Sequence, residues 1–143
     1  MTASQAKAGQ RGASNSSSLQ VRPQVIPRID FRASDAVRAV LSAIGRTEDV
    51  RFSPDNRLLV IAGFALNRCL ILRVAVGPTP AGPLVTADDF MELTSDSIGA
   101  VHGLDFVEDR TLVVANRDGM VSILRLPAGE PGGRRLRIKA AAA

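Results

Sequence analysis

The sequence holds one cysteine, Cys69, and one histidine, His102, and it has no tryptophan and no tyrosine. A lone cysteine forms no internal disulfide, and one cysteine with one histidine falls short of the ligands of a structural zinc site. Cys69 lies inside an apolar run, where a buried, inert thiol is expected. Long hydrophobic runs are lacking as well. The densest, residues 70–76, is interrupted by Arg73, well short of the ~18 apolar residues of a membrane span, so no membrane span is expected. No apolar core follows Lys7 and Arg11, so no secretory signal is read there, and a cytoplasmic location is the expectation. A Gly-x-Ser-x-Gly elbow and a phosphate-cradling glycine loop are both missing, which removes support for serine hydrolase and nucleotide chemistry.

Acidic residues are absent from both ends. Residues 1–28 carry Lys7, Arg11, Arg22 and Arg28, and residues 134–143 carry Arg134, Arg135, Arg137 and Lys139. The intervening residues 29–133 have ten arginines against fourteen acids, a net charge of −4 within a chain whose total is +4. The basic charge therefore sits on the ends and forms no basic face on the foldable part, and no specific nucleic-acid partner is expected. The division read from composition is a disordered basic tail over 1–28, a folded region over 29–133, and a basic, alanine-ended tail over 134–143.

Within the middle, Ser34 precedes apolar residues at Val37, Val40, Leu41 and Ile44, with Gly45 following. That spacing and that cap predict a short helix. Strand texture follows. Ser53-Pro54-Asp55-Asn56-Arg57 is a turn in which proline pre-sets φ and Asp and Asn tolerate what comes next. It leads into an apolar strand over 58–63 and another over 69–76. Residues 77–83, with three prolines, break the pattern. Two short stretches, 84–86 and 90–93, compete for a fourth strand.

The same order then recurs. Phe52 matches Phe106, Leu59 matches Leu112, Val60 matches Val113, Ala62 matches Ala115 and Arg73 matches Arg125, with Arg117-Asp118-Gly119 as a hairpin turn. An internal period near 50 with several strands per unit points to propeller blades. The Phe52-to-Arg57 turn and the Asn116-to-Gly119 segment resemble those of WD-repeat and related propeller units, without the Trp-Asp dipeptide. The resemblance covers residues 48–126. It implies a mostly β chain of two β-propeller-type blades, about 48–93 and 101–126, making a partial propeller with a short N-terminal helix and disordered ends.

The repeat sets Glu48 and His102 at equivalent positions, each four residues before its phenylalanine and just ahead of an innermost strand. The segments Glu48-Asp49 and His102-Gly103 are similar to the first two blades of paraoxonase-like and gluconolactonase-type six-bladed propellers. That resemblance implies Glu48 and Asp49 as calcium ligands and His102 as a catalytic base or its assistant. Calcium takes six to eight oxygen ligands, so two carboxylates make an incomplete site. Two readings follow. One is a propeller-type binding or scaffold segment, incomplete or truncated, that meets a protein partner or itself through open sheet edges. The other is an N-terminal fragment of a calcium-dependent esterase or lactonase.

Overall fold

A computed structural model describes residues 28–142, so the basic N-terminal tail, Arg28 apart, lies outside the described residues. The elements in chain order are β1 (Asp30–Ala33), α1 (Asp35–Ala43), β2 (Thr47–Phe52), β3 (Leu58–Gly63), β4 (Arg68–Thr79), β5 (Gly82–Thr94), β6 (Val101–Glu108), β7 (Thr111–Asn116), β8 (Val121–Arg125) and β9 (Arg134–Arg137). They form a mostly β structure of two sheets with one helix. The first sheet has the order β1-β5-β4-β3-β2, with β9 also on β5, and the second has the order β6-β7-β8.

The helix forms where its cap and spacing predict. Ser34 Oγ accepts the Val37 amide at 3.3 Å, and Gly45 ends the helix with φ +75°. Its buried Val37 and Ile44 pack with Leu59, Leu70, Leu72, Val74, Val85 and Ala87 on one face of the first sheet. The other face presents Leu58, Val60, Ala62, Cys69, Ile71, Met91 and Leu93 to Val101, Leu104, Leu112, Val114 and Leu124 of the second sheet. Alternate residues of β3 and β4 thus feed two different cores, which is why both read as nearly continuous apolar runs rather than alternating ones. Burial excludes water from Cys69 and pushes its thiol pKa up to about 12.

The two meanders repeat each other in register. Phe52 pairs with Leu59 as Phe106 pairs with Leu112, and Leu58 pairs with Arg73 as Thr111 pairs with Arg125. The connecting hydrogen bonds repeat too. The Val74 amide donates to Arg57 O at 2.9 Å where the Leu126 amide donates to Arg110 O at 2.8 Å. At the other end the Phe64 amide donates to Arg46 O at 3.0 Å where the Arg117 amide donates to Ala100 O at 3.2 Å.

Three segments differ from the sequence reading. The proline-rich stretch is a tight hairpin: β4 runs on through Thr79 and β5 begins at Gly82, with Pro78 opposite Pro83. Both prolines lie beyond the ends of the neighbouring β3 and β1, at positions where a missing N–H breaks no ladder. The two competing stretches are one 13-residue strand, β5, kinked where Arg73 pairs with Asp89 and Val74 with Ala87, leaving Asp88 as a bulge. Residues 134–137, read as part of a tail, are β9, parallel to residues 91–94 of β5. Asp89 makes this possible by accepting the Gly132 and Gly133 amides at 2.7 and 3.0 Å. Both glycines have positive φ, +65° and +62°, a backbone that side-chain-bearing residues rarely adopt.

The helix end lies against the first sheet at Gly63, where an added Cβ would lie 2.8 Å from Ile44 Cγ1 and 3.1 Å from Arg68 O. Gly77, by contrast, faces open space. Gly63→Ala is therefore expected to lower the unfolding free energy by about 1–3 kcal/mol. Gly77→Ala should change it by less than ~0.5 kcal/mol. Urea denaturation of both variants checks the pair.

Candidate functional site

The two residues singled out by the repeat occupy one structural position. In β2 the register runs from Thr47↔Gly63 to Asp49↔Ala62 and skips Glu48. In β6 it runs from Val101↔Asn116 to Gly103↔Ala115 and skips His102. Each residue is thus a β-bulge inside the first strand of its meander, not in the loop ahead of it. A bulge releases its residue from the ladder and re-aims the side chain. Here both side chains turn toward each other, with His102 Nδ1 4.0 Å from Glu48 Oε2.

Two arginines complete the group. Arg46 Nη2 lies 2.6 Å from Glu48 Oε1, and Arg117 Nη2 lies 3.4 Å from Oε2. Both guanidiniums stand over the ring of Phe64, at 4.9 and 5.2 Å from its centroid. The repeat explains this convergence, since Phe64 and Arg117 hold equivalent places in the β3–β4 and β7–β8 connections. The Glu48 side chain is 12% exposed, whereas His102, Arg46 and Arg117 are 64%, 63% and 47% exposed. The arrangement is a shielded carboxylate under a cationic rim.

Asp49 does different work. Its Oδ1 accepts the Val50 amide at 2.8 Å and Arg51 Nη1 at 2.6 Å, while Oδ2 accepts the Leu104 amide of β6 at 3.1 Å. It therefore ties the first sheet to the second. Two carboxylates alone do not fill a calcium shell. Both Asp49 oxygens accept N–H groups, and Glu48 lies beside two guanidiniums with its buried Oε1 accepting no hydrogen bond, while calcium needs six to eight oxygens. Among the described residues no group of three or more His, Cys, Asp or Glu is placed to hold a metal.

Sequence reasoning missed a second polar cluster at the opposite end of the meanders. Arg73 forms a two-pronged pair with Asp88, Nε–Oδ1 2.7 Å and Nη2–Oδ2 2.9 Å, and its Nη1 reaches Glu130 at 3.0 Å. These residues border a cleft of about 560 Å³ that also takes in the equivalent turns at Asp55–Arg57 and Asp109–Arg110. Only the match of Arg73 with Arg125 marked this arginine in the sequence. Its partners lie 15 and 57 positions away, and no local pattern announces them.

Three carboxylates here are held below their ordinary range. Hydrogen bonds from Ser53 and the Arg57 amide lower Asp55, and the Arg73 guanidinium lowers Asp88. At Asp89 burial opposes the charged form, but the amides of Gly132, Phe90 and Gly133 outweigh it. A folded-state pKa below the unfolded value contributes stability above the ordinary aspartate value of 3.8 and loses it as pH falls through the folded value. Stability should thus be level from neutral pH to about 5 and fall below about 4. Asp89→Asn should blunt that fall, as thermal melts across pH would record. Asp49→Ala leaves the Leu104 amide without its carboxylate, an expected loss of about 1–2 kcal/mol. Asp49→Asn, which keeps an acceptor oxygen, should cost less in the same urea titration.

Comparison of the chain with protein-family models, with curated proteins and with solved structures finds no match.

Proposed function

We propose that this chain is a propeller-type repeat segment, two consecutive blade units long, that acts as a binding or scaffold module. The observation that carries the reading is the repeated register. Two meanders share ladder pairs, bulge positions and connecting hydrogen bonds, and the second stacks face to face on the first. In repeat architectures each unit buries only part of its apolar surface, and neighbours supply the rest. The second sheet fits that logic: Val113, Ala115 and Ile123 line a half-buried outer face, and Val121 on it is 52% exposed. No described element covers that face, and an exposed apolar face of this kind suits contact with another surface.

The reading as a fragment of a calcium-dependent esterase or lactonase draws support from the Glu48–His102 approach at 4.0 Å. The guanidiniums around Glu48 weigh against it, because they already supply the positive charge that a calcium ion would bring.

Two measurements test the proposal. Duplicating residues 95–126 in tandem adds a third unit over the open face. It should raise the melting temperature by about 2–4 °C, the shift expected for ~1 kcal/mol of coupling between neighbours. An unchanged or lower melt would sink the repeat reading. Millimolar calcium should leave the melt of the natural chain unchanged; a concentration-dependent rise would favour the hydrolase reading instead.

A further inference from the structure

The internal repeat assigns a counterpart to each exposed apolar patch. On the first sheet Val60, Ala62, Cys69 and Ile71 face the second sheet and are wholly buried, each 0% exposed. Their equivalents on the second sheet are Val113, Ala115, Val121 and Ile123, joined by the same ladder pairs, Val113↔Ile123 for Val60↔Ile71 and Ala115↔Val121 for Ala62↔Cys69. These four face outward, none of them buried. The residues that receive the first sheet are Leu104, Phe106, Leu112 and Val114 of β6 and β7. Their equivalents in β2 and β3 are Val50, Phe52, Leu59 and Ile61. Here Leu59 is covered by α1, while Val50 and Phe52 remain 50% and 41% exposed.

The molecule therefore presents one half of its own inter-sheet contact and the uncovered margin of the other. The half is on the outer face of β7–β8, and the margin is at Val50 and Phe52, beside Ile61 and the helix. The helix covers Leu59 and packs against Ile61, and it leaves Val50 and Phe52 of β2 exposed. The existing inter-sheet contact is made chiefly by β6 on β2 and β3, and β2, the equivalent of β6, is the strand whose Val50 and Phe52 stay exposed. A cavity of about 470 Å³ bordered by Leu41, Ile44, Val50 and Ile61 continues this patch toward the helix end.

We propose that a second copy of this chain is the occupant, joined head to tail. The Val113–Val121–Ile123 face of one copy sits on the Val50–Phe52 margin of the next, beside Ile61, and repeats the β2 part of the contact between the two sheets of a single copy. The contact is heterologous, so each copy keeps one unmatched patch and assembly proceeds to a ring or a chain of copies. Each patch is formed by only a few side chains, so association is weak and concentration-dependent. One bond of the internal contact is not reproduced, because Gly103 stands where Asp49 offers its carboxylate. This inference rests on the repeat reading above.

Sedimentation of the natural chain from about 5 to 500 μM should show the mean mass rising above that of one copy, through the range in which weak interfaces of this size assemble. Val50→Asp and Val121→Asp, both at exposed positions, should keep the parent melting temperature, and each alone should remain a monomer. Mixed in equal amounts, they should recover a one-to-one dimer, since each retains the patch the other lacks. A natural chain that stays monomeric throughout overturns the inference and leaves the repeat reading to the tandem-duplication melt. Association that survives Val50→Asp but not Val121→Asp overturns it in favour of two outer faces meeting each other. A mixture that stays monomeric overturns it too.

Discussion

The structure depends on burying the first sheet from both sides. β3 and β4 send alternate residues into two separate cores, Val60 and Ile71 toward the second sheet and Leu59, Leu70 and Leu72 toward the helix. Neither the nine-residue helix nor the three-stranded sheet could bury its own apolar side alone. Each is stable because the first sheet offers it a surface, and the first sheet is stable because both are present. The edge of that sheet follows the same economy. β1 and β9 lie in tandem along β5, covering residues 84–87 and 91–94, so a long strand that would otherwise invite foreign pairing is closed by two short ones.

Bulges organise the polar chemistry around this apolar frame. Those at Glu48 and His102 take two equivalent residues out of their ladders and bring a carboxylate and an imidazole together between the sheets. The bulge at Asp88 turns its carboxylate onto Arg73, and Asp89 beside it fastens the glycine turn that leads to β9. In each case one unpaired residue in a strand is the cost, and a defined side-chain direction is the result.

The basic end of the described chain is also absorbed into the fold. Arg135 reaches the shielded Glu92 at 2.9 Å, Arg137 pairs with Asp96, and Arg134 donates to the carbonyls of Glu130 and Pro131. Arg68 also pairs with Glu92 from the β4 side. The basic residues of β9 thus meet carboxylates and carbonyls of the fold rather than standing apart from it. Among the described residues, no helix is long and apolar enough to cross a membrane.

What the sequence determined by itself is whatever local chemistry decides. Ser34 and the spacing of Val37, Val40, Leu41 and Ile44 specify the helix. Pro54, Asp55 and Asn56 specify the turn, and the matched Phe52 and Phe106 mark the repeat and its register. The equivalence of Glu48 and His102 was legible for the same reason, since a repeat can be aligned without knowing its fold. Tertiary structure alone decided the rest. β1 and β9 are parallel strands with no hairpin to announce them, and they exist only where β5 has an edge to pair. The arginines over Phe64 and the Arg73–Asp88–Glu130 cluster join residues far apart in the chain, where no local propensity reaches. Whether a carboxylate meets a guanidinium or an amide depends on which neighbour the fold delivers. At Glu48 and Asp49 it delivered arginines and the Leu104 amide.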